Sequence, residues 1–288
     1  MWWQTALWVI GFLVLGPIVG GFLSGFDRVV SARLQGRQGP PILQPFYDLA
    51  KLFNKQALIV NGVQDFLVIG YFVFSIFAGA LFFAGGDLLL SMFALTLAEI
   101  FMFMAACSAN SPFSNMGAQR ELLQIMCYEP MLLLTAIGFY MGTGSFMVQD
   151  IARNGFSTIG VLPGMFVGLL FVLIIKLRKS PFDLSTSHHA HQEMVKGMTT
   201  EISGNIYAFV ELAEWYEDVL ILGIVALFIL NRNPWSIPVA LVVCSLVFFL
   251  EILIDNIFPR VKWKKMFGSA WIVALIFGGV NLLILNYI

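Results

Sequence analysis

Charge is what this chain has least of. Charged residues fill 11% of its 288 positions, against roughly 25% in an ordinary soluble domain. With 59% hydrophobic residues and a mean hydropathy of +0.86, it cannot cover a water-facing surface. Its solvent is lipid, where each segment must satisfy its own backbone hydrogen bonds. The long apolar runs lack the alternation of a membrane β-barrel strand, which leaves helices. A net charge of −1 carries no general attraction to nucleic acid.

Cysteine is scarce too. Cys107, Cys127 and Cys244 all lie in apolar segments, and no two form a Cys-x-x-Cys pair. Iron–sulfur clusters usually take four thiolates, so no cofactor is expected in this chain itself and the three read as packing residues. The sequence also lacks a Gly-rich phosphate loop, a G-x-S-x-G and an H-E-x-x-H. Nothing here supports catalysis by this chain alone. Its start, MWWQTALWVIGFLVLG, has neither a basic n-region nor a small-residue cleavage site, and reads as a retained first span.

What the chain does have is apolar runs of membrane length. A span needs about 20 mostly apolar residues, and eight are expected, at roughly 4–26, 66–86, 88–108, 122–142, 159–177, 203–230, 237–258 and 266–287. The fold class is therefore all-α integral membrane, with residues 1–288 as one membrane domain. The basic residues agree with this count. Fourteen of the 16 Lys and Arg fall in or beside the loops after spans one, three, five and seven, and only Arg153 and Arg232 lie opposite. The positive-inside rule places those four loops in the cytoplasm and both termini outside.

Two cytoplasmic loops are long, about 27–65 and 178–200. In the first, PILQPFYDLAKLFNKQ spaces Ile42, Phe46, Leu49 and Phe53 near one helical face, with Asp48, Lys51 and Lys55 on others. That pattern predicts an amphipathic helix lying at the interface. Gly36, Gly39, Pro40 and Pro41 before it force a turn.

Carboxylates within apolar sequence are costly and default to function. Glu129 lies inside span four, where Pro130 removes a backbone donor. Glu201, Glu211, Glu214, Glu217 and Asp218 follow the second long loop, and offsets of three and seven put Glu211, Glu214 and Asp218 on one stripe. Glu129, Glu201, Glu211 and Glu214 are the candidates for a proton relay. Glu99 and Glu251 are further intramembrane carboxylates without visible company. The competing reading is ion pairing with nearby Lys or Arg, or exposure at the headgroups.

His188, His189 and His191 are the chain's only histidines. HHAH lacks the spacing of a zinc signature, so no metal site is expected. Histidine titrates in the physiological range, which suits proton transfer or docking at a cytoplasmic interface, and an ordinary solvated loop is the alternative.

Three segments together resemble one family, the membrane subunit shared by respiratory complex I (NuoH, or NADH dehydrogenase subunit 1) and the membrane-bound NiFe hydrogenases. DRVVSARLQGRQGPPILQPFYDLAKLFNKQ, from Asp27 to Gln56, is similar to that family's first cytoplasmic loop. ANSPFSNMGAQRELLQIMCYEP, from Ala109 to Pro130, is similar to its G-A-x-R … Y-E stretch. KSPFDLSTSHHAHQEMVKGMTTEISG, from Lys179 to Gly204, is similar to its P-F-D … E loop. Complex I members tend to carry a glutamate where this chain has Lys176. With its histidines, SPFDLSTSHHAHQE resembles the small membrane subunit of Ech-type energy-converting hydrogenases and of formate-hydrogenlyase.

The resemblance implies an anchor and coupling subunit that links ferredoxin/H2 electron transfer to proton or sodium translocation. Glu129, Glu201 and Glu214 match acidic positions of the family's carboxylate funnel, while Glu211 rests on spacing alone. Partner docking falls to Arg37, Lys51, Pro181, Phe182, Asp183, His188, His189 and His191. The implied partners are a hydrogenase large subunit with the NiFe centre, an iron–sulfur small subunit and an antiporter-like membrane subunit. Lys176 weakens a complex I-type relay and the case for a quinone. Two rival readings stay open: the quinone-chamber subunit of a complex I-type NADH dehydrogenase, and a stand-alone ion transporter, for which no inverted repeat is visible.

Overall fold

The computed structural model describes residues 2–56, 61–185 and 196–287. The described residues are helical, apart from turns, loops and two isolated bridges, Asp87 with Met147 and Phe182 with Val261. Helix α1 covers Trp2–Leu34, and the interfacial α2 covers Gln44–Phe53. Then follow α3 (Gly62–Phe83), α4 (Leu88–Ser108), α5 (Pro112–Thr143), the short α6 (Val148–Ala152), α7 (Pro163–Lys176) and α8 (Gly204–Leu227). The chain closes with α9 (Ser236–Ile257), α10 (Trp263–Val273) and α11 (Val280–Tyr287), the last two joined through a π-helical stretch at Ala274–Gly279.

Among the described residues, six helices are long and apolar enough to cross a membrane: Thr5–Leu34, Gly62–Phe83, Leu88–Ser108, Pro112–Thr143, Ser236–Ile257 and Trp263–Tyr287. The chain is thus a multi-pass membrane protein. The two other expected spans differ in kind. The segment at 159–177 is a 3-10 turn followed by the 14-residue α7, which at 1.5 Å per residue reaches about 21 Å, short of a hydrocarbon core of about 30 Å. Helix α8 is long enough, but it carries Glu211, Glu214, Glu217 and Asp218.

Two helices run well beyond their expected limits. Helix α1 continues past residue 26 to Leu34 and stops where Gly36 turns left-handed at φ +69°, a conformation glycine adopts without a Cβ penalty. Helix α5 begins ten residues early, because its added turns bury Ser114, which bonds to the Ala106 carbonyl of α4, and Glu121, which meets the loop after α7. It runs unbroken through Pro130.

Packing places α8 at the centre of the site. Helices α1 and α3 lie against it, and α2 folds onto it from the side. A Cβ at Gly20 would stand 2.5 Å from both the Cβ and the carbonyl oxygen of Trp215, so only glycine lets α1 approach this closely. Phe46 of α2 packs edge-on to Phe22 at 5.5 Å and to Trp215 at 5.3 Å. The expected amphipathic helix is therefore present, with Pro45 buried and Lys51 exposed.

Candidate functional site

The site grows out of the end of α7. Arg178 follows the helix at φ +54°, where the amides of Arg178 and Lys179 bond to the carbonyls of Ile175 and Ile174 at 3.1 and 2.9 Å. A non-glycine residue in the left-handed region costs about 1–2 kcal/mol. Such outliers concentrate at functional positions. This turn sends three cations, Lys176, Arg178 and Lys179, inward from one short stretch.

Each cation meets carboxylates from other helices. The Lys176 ammonium donates to Glu99 of α4, and Glu217 of α8 lies 3.4 Å from it. All three side chains are buried, and Lys176 also sits 5.0 Å from the centre of the Tyr128 ring. Ser75 of α3 donates to the other Glu217 oxygen at 3.0 Å. Arg178 donates to Glu214 and lies 3.5 Å from Glu121, which also accepts from the Ser185 hydroxyl. Lys179 pairs with Asp27 of α1.

A polar cavity of about 70 Å³ runs between these groups, lined by Asp27, Arg28, Glu211, Glu214, Glu217 and Asp218 together with the three cations. A water needs roughly 10–15 Å³ of such space and two to four polar partners, so the cavity has room for a short water chain. The buried hydroxyls of Tyr71 and Tyr128 and the second Glu99 oxygen have no protein partner among the described residues, and ordered water would satisfy them.

The loop after α7 is held from below. Asp183 is buried and lies 2.9 Å from Arg120 and 2.6 Å from Arg260. The Val261 amide donates to the Pro181 carbonyl at 2.6 Å, the Asp183 amide to Val261 at 3.2 Å, and the Ser180 amide to Asp255 at 2.8 Å. Just before α8 the chain presses on α5, and a Cβ at Gly117 would stand 2.4 Å from the Met198 amide.

The expected site residues fare unequally. Glu214 joins the cluster, and Glu211 lines its cavity. Glu129 is half-buried on α5 beside Thr96, and Glu201 is half-buried in the turn before α8. Neither forms an ion pair among the described residues. The groups at the centre are Glu217 and Glu99, which the sequence leaves outside the relay candidates, and Glu121, which it does not single out at all. Glu121 stands in the Gly-Ala-Gln-Arg-Glu stretch that carries part of the family resemblance, but its burial depends on the α5 face. Ion pairing, one of the two readings the sequence leaves open, is present at Glu214, Glu99 and Glu217. Pro181, Phe182 and Asp183 are buried within this chain. Arg37 and Lys51 are exposed. His188, His189 and His191 lie outside the described residues.

Asp48, on α2 outside the spans, ties this helix to α1. It accepts from Gln44 at 2.8 Å and pairs with Arg28 at 2.9 Å. Partial burial pushes its carboxyl up, but the bonds from Gln44 and Arg28 outweigh that and hold it below the usual carboxylate range.

A family model described as NADH dehydrogenase matches residues 6–286. The chain belongs to the NADH dehydrogenase family. It is 26% identical to hydrogenase-4 component C of Escherichia coli, over 90% of this chain and 88% of that protein. It is 26% identical to formate hydrogenlyase subunit 4 of the same organism, over 88% of this chain and 92% of that one. It is 30% identical to an NADH-quinone oxidoreductase subunit of Anoxybacillus flavithermus, over 94% of this chain and 89% of that one. A chain in the solved structure of the membrane-bound sulfane sulfur reductase, an archaeal respiratory membrane complex, shares the fold with a TM-score of 0.86. That match covers 98% of this chain and 99% of the other at 24% identity.

Proposed function

We propose that this chain is the membrane anchor and coupling subunit of an energy-converting NiFe hydrogenase complex. The observation that carries the reading is the buried network in which Lys176 and Arg178 meet Glu99, Glu121, Glu214 and Glu217. Two cations face four carboxylates, so the cluster has surplus acidic groups on which protons can be held or released. A change of charge at the loop surface would shift that balance, because buried charges interact with little screening. The cluster begins at the loop after α7 and reaches α4 in the bundle, which suits a junction between redox chemistry outside the membrane and ion movement within it.

In this reading the loops at 27–56 and 178–200 face the cytoplasm, both termini lie outside, and residues 1–288 form one membrane domain. The peripheral partners are a NiFe large subunit and an iron–sulfur small subunit, which hold the metal centres. An antiporter-like membrane subunit receives the proton row, to which Glu129, Glu201 and Glu211 contribute. Arg37, Lys51 and the three histidines contact the peripheral partners. Relatives named hydrogenase-4 component C and formate hydrogenlyase subunit 4 support the hydrogenase branch.

The quinone-chamber alternative calls for an apolar cavity beneath the first loop. The space between α1, α2 and α8 is not purely apolar: Arg28, Asp48, Lys51, Lys55 and Glu211 share its lining with Pro45, Leu49, Leu52, Tyr207 and Trp215, and beside it the Phe46 ring is wedged against Gly21 and Trp215. That packing favours the anchor.

The test is isolation of the tagged chain from membranes in mild detergent. Nickel, iron and acid-labile sulfide should co-purify with it in fixed ratio. A chain isolated alone that moves ions by itself in liposomes would establish the transporter reading. Quinone-dependent turnover by the purified complex would establish the quinone reading.

A further inference from the structure

At the end of the bundle away from α2, the outer half of α1 lies apart from the charged cluster and borders a groove of about 670 Å³ against α3 and α8. Its floor is aromatic. Phe12 is buried, stacks on Phe83 at 4.8 Å and fits into the notch left by Gly79, where a Cβ would stand 2.2 Å from its ring. One wall is open at Gly11, around which nothing lies within 4 Å of a built Cβ. The α1 lining runs from Leu7 to Val19, about 18 Å along the helix axis. One leaflet of a bilayer has about 15 Å of hydrocarbon, half the usual core.

A single cation, Arg153, completes the lining. It stands in the loop after α6, which the backbone ties to its neighbours at this end. Val148 donates to Gly86 at 2.9 Å, and Arg232 donates to Asn154 at 2.8 Å. Its side chain is exposed and forms no ion pair among the described residues. An apolar trough of one leaflet's depth with a guanidinium on its lining matches the two ends of a phospholipid.

We infer that this groove is a structural lipid site. One acyl or isoprenoid chain lies along Gly11 and Phe12, and the phosphate of an anionic phospholipid pairs with Arg153, a geometry in which guanidinium gives bidentate bonds. Such a lipid covers the wall of α1 that is open at Gly11.

The test uses the intact complex in nanodiscs made of phosphatidylglycerol or of phosphatidylcholine, with bound lipid counted by native mass spectrometry. The wild type should retain one more tightly bound lipid in phosphatidylglycerol than the Arg153→Gln variant does. Gly11→Trp, which fills the trough, should lose the same lipid in phosphatidylglycerol. Arg232→Gln, the other basic position at this end, should leave the count unchanged. Unchanged lipid counts in both Arg153→Gln and Gly11→Trp would overturn the inference. So would loss of a partner subunit in place of a lipid, which would make the groove a protein interface.

Discussion

Lys176 at the last turn of α7 donates its ammonium to Glu99 in the middle of α4, 77 positions earlier in the chain, with both side chains buried. Removing one member of a buried pair leaves an uncompensated charge and costs about 3–5 kcal/mol. Lys176→Met should therefore lower the thermal midpoint of the detergent-solubilised complex markedly. The double variant Lys176→Met/Glu99→Gln should recover part of the loss, because contacting residues couple. Additive losses in the double variant would show that the pair does not act as a unit.

Asp183 bridges Arg120 and Arg260 beneath the loop. Asp183→Asn removes the shared charge while keeping the shape. The amides of residues 178–185 should then exchange hydrogen faster, with little change elsewhere in the bundle. Unchanged protection of that segment would show that the backbone bonds to Val261 and Asp255 suffice.

Expectations from sequence succeed where one physical signal dominates. Apolar runs set most of the helices, and the spacing of Phe46, Leu49 and Phe53 reveals α2. Helix limits are hidden where polar residues continue a helix while facing inward, as at Asp27 and Arg28 in α1 or Ser114 and Glu121 in α5. The site is half legible. The acids of α8 stand out, but a single sequence does not say which face of α8 meets α7, so spacing favours Glu211 over Glu217. Glu99 looks solitary because its partner comes from a distant helix.

At Gly20, α1 approaches the Trp215 backbone so closely that any side chain must displace it. Overpacking of this kind costs about 1–3 kcal/mol or more. Gly20→Leu should loosen α1 and α2 together and raise protease cleavage between them, whereas Gly11→Leu should not. Equal cleavage in the two variants would remove the close approach as the cause.

Asp48 carries a lowered carboxyl pKa, so its contribution to holding α2 is present above the unfolded carboxylate value and fades as pH falls through the lowered one. The pair with Arg28 is partly exposed, and its worth is at most about 1 kcal/mol. Asp48→Asn should make α2 slightly more mobile at neutral pH, read by a spin label at position 55. The difference from wild type should vanish in strong acid. A difference that persists there would mean that charge is not the cause.

In the proposed function the buried carboxylates couple electron transfer to ion translocation. The most direct measurement is the number of ions moved per electron transferred in inverted membrane vesicles carrying the intact complex with Glu217→Gln, with Glu201→Gln beside it. Full assembly and continued electron transfer are expected, with translocation abolished in both variants. A wild-type ion-to-electron ratio in a correctly assembled Glu217→Gln complex would contradict that coupling.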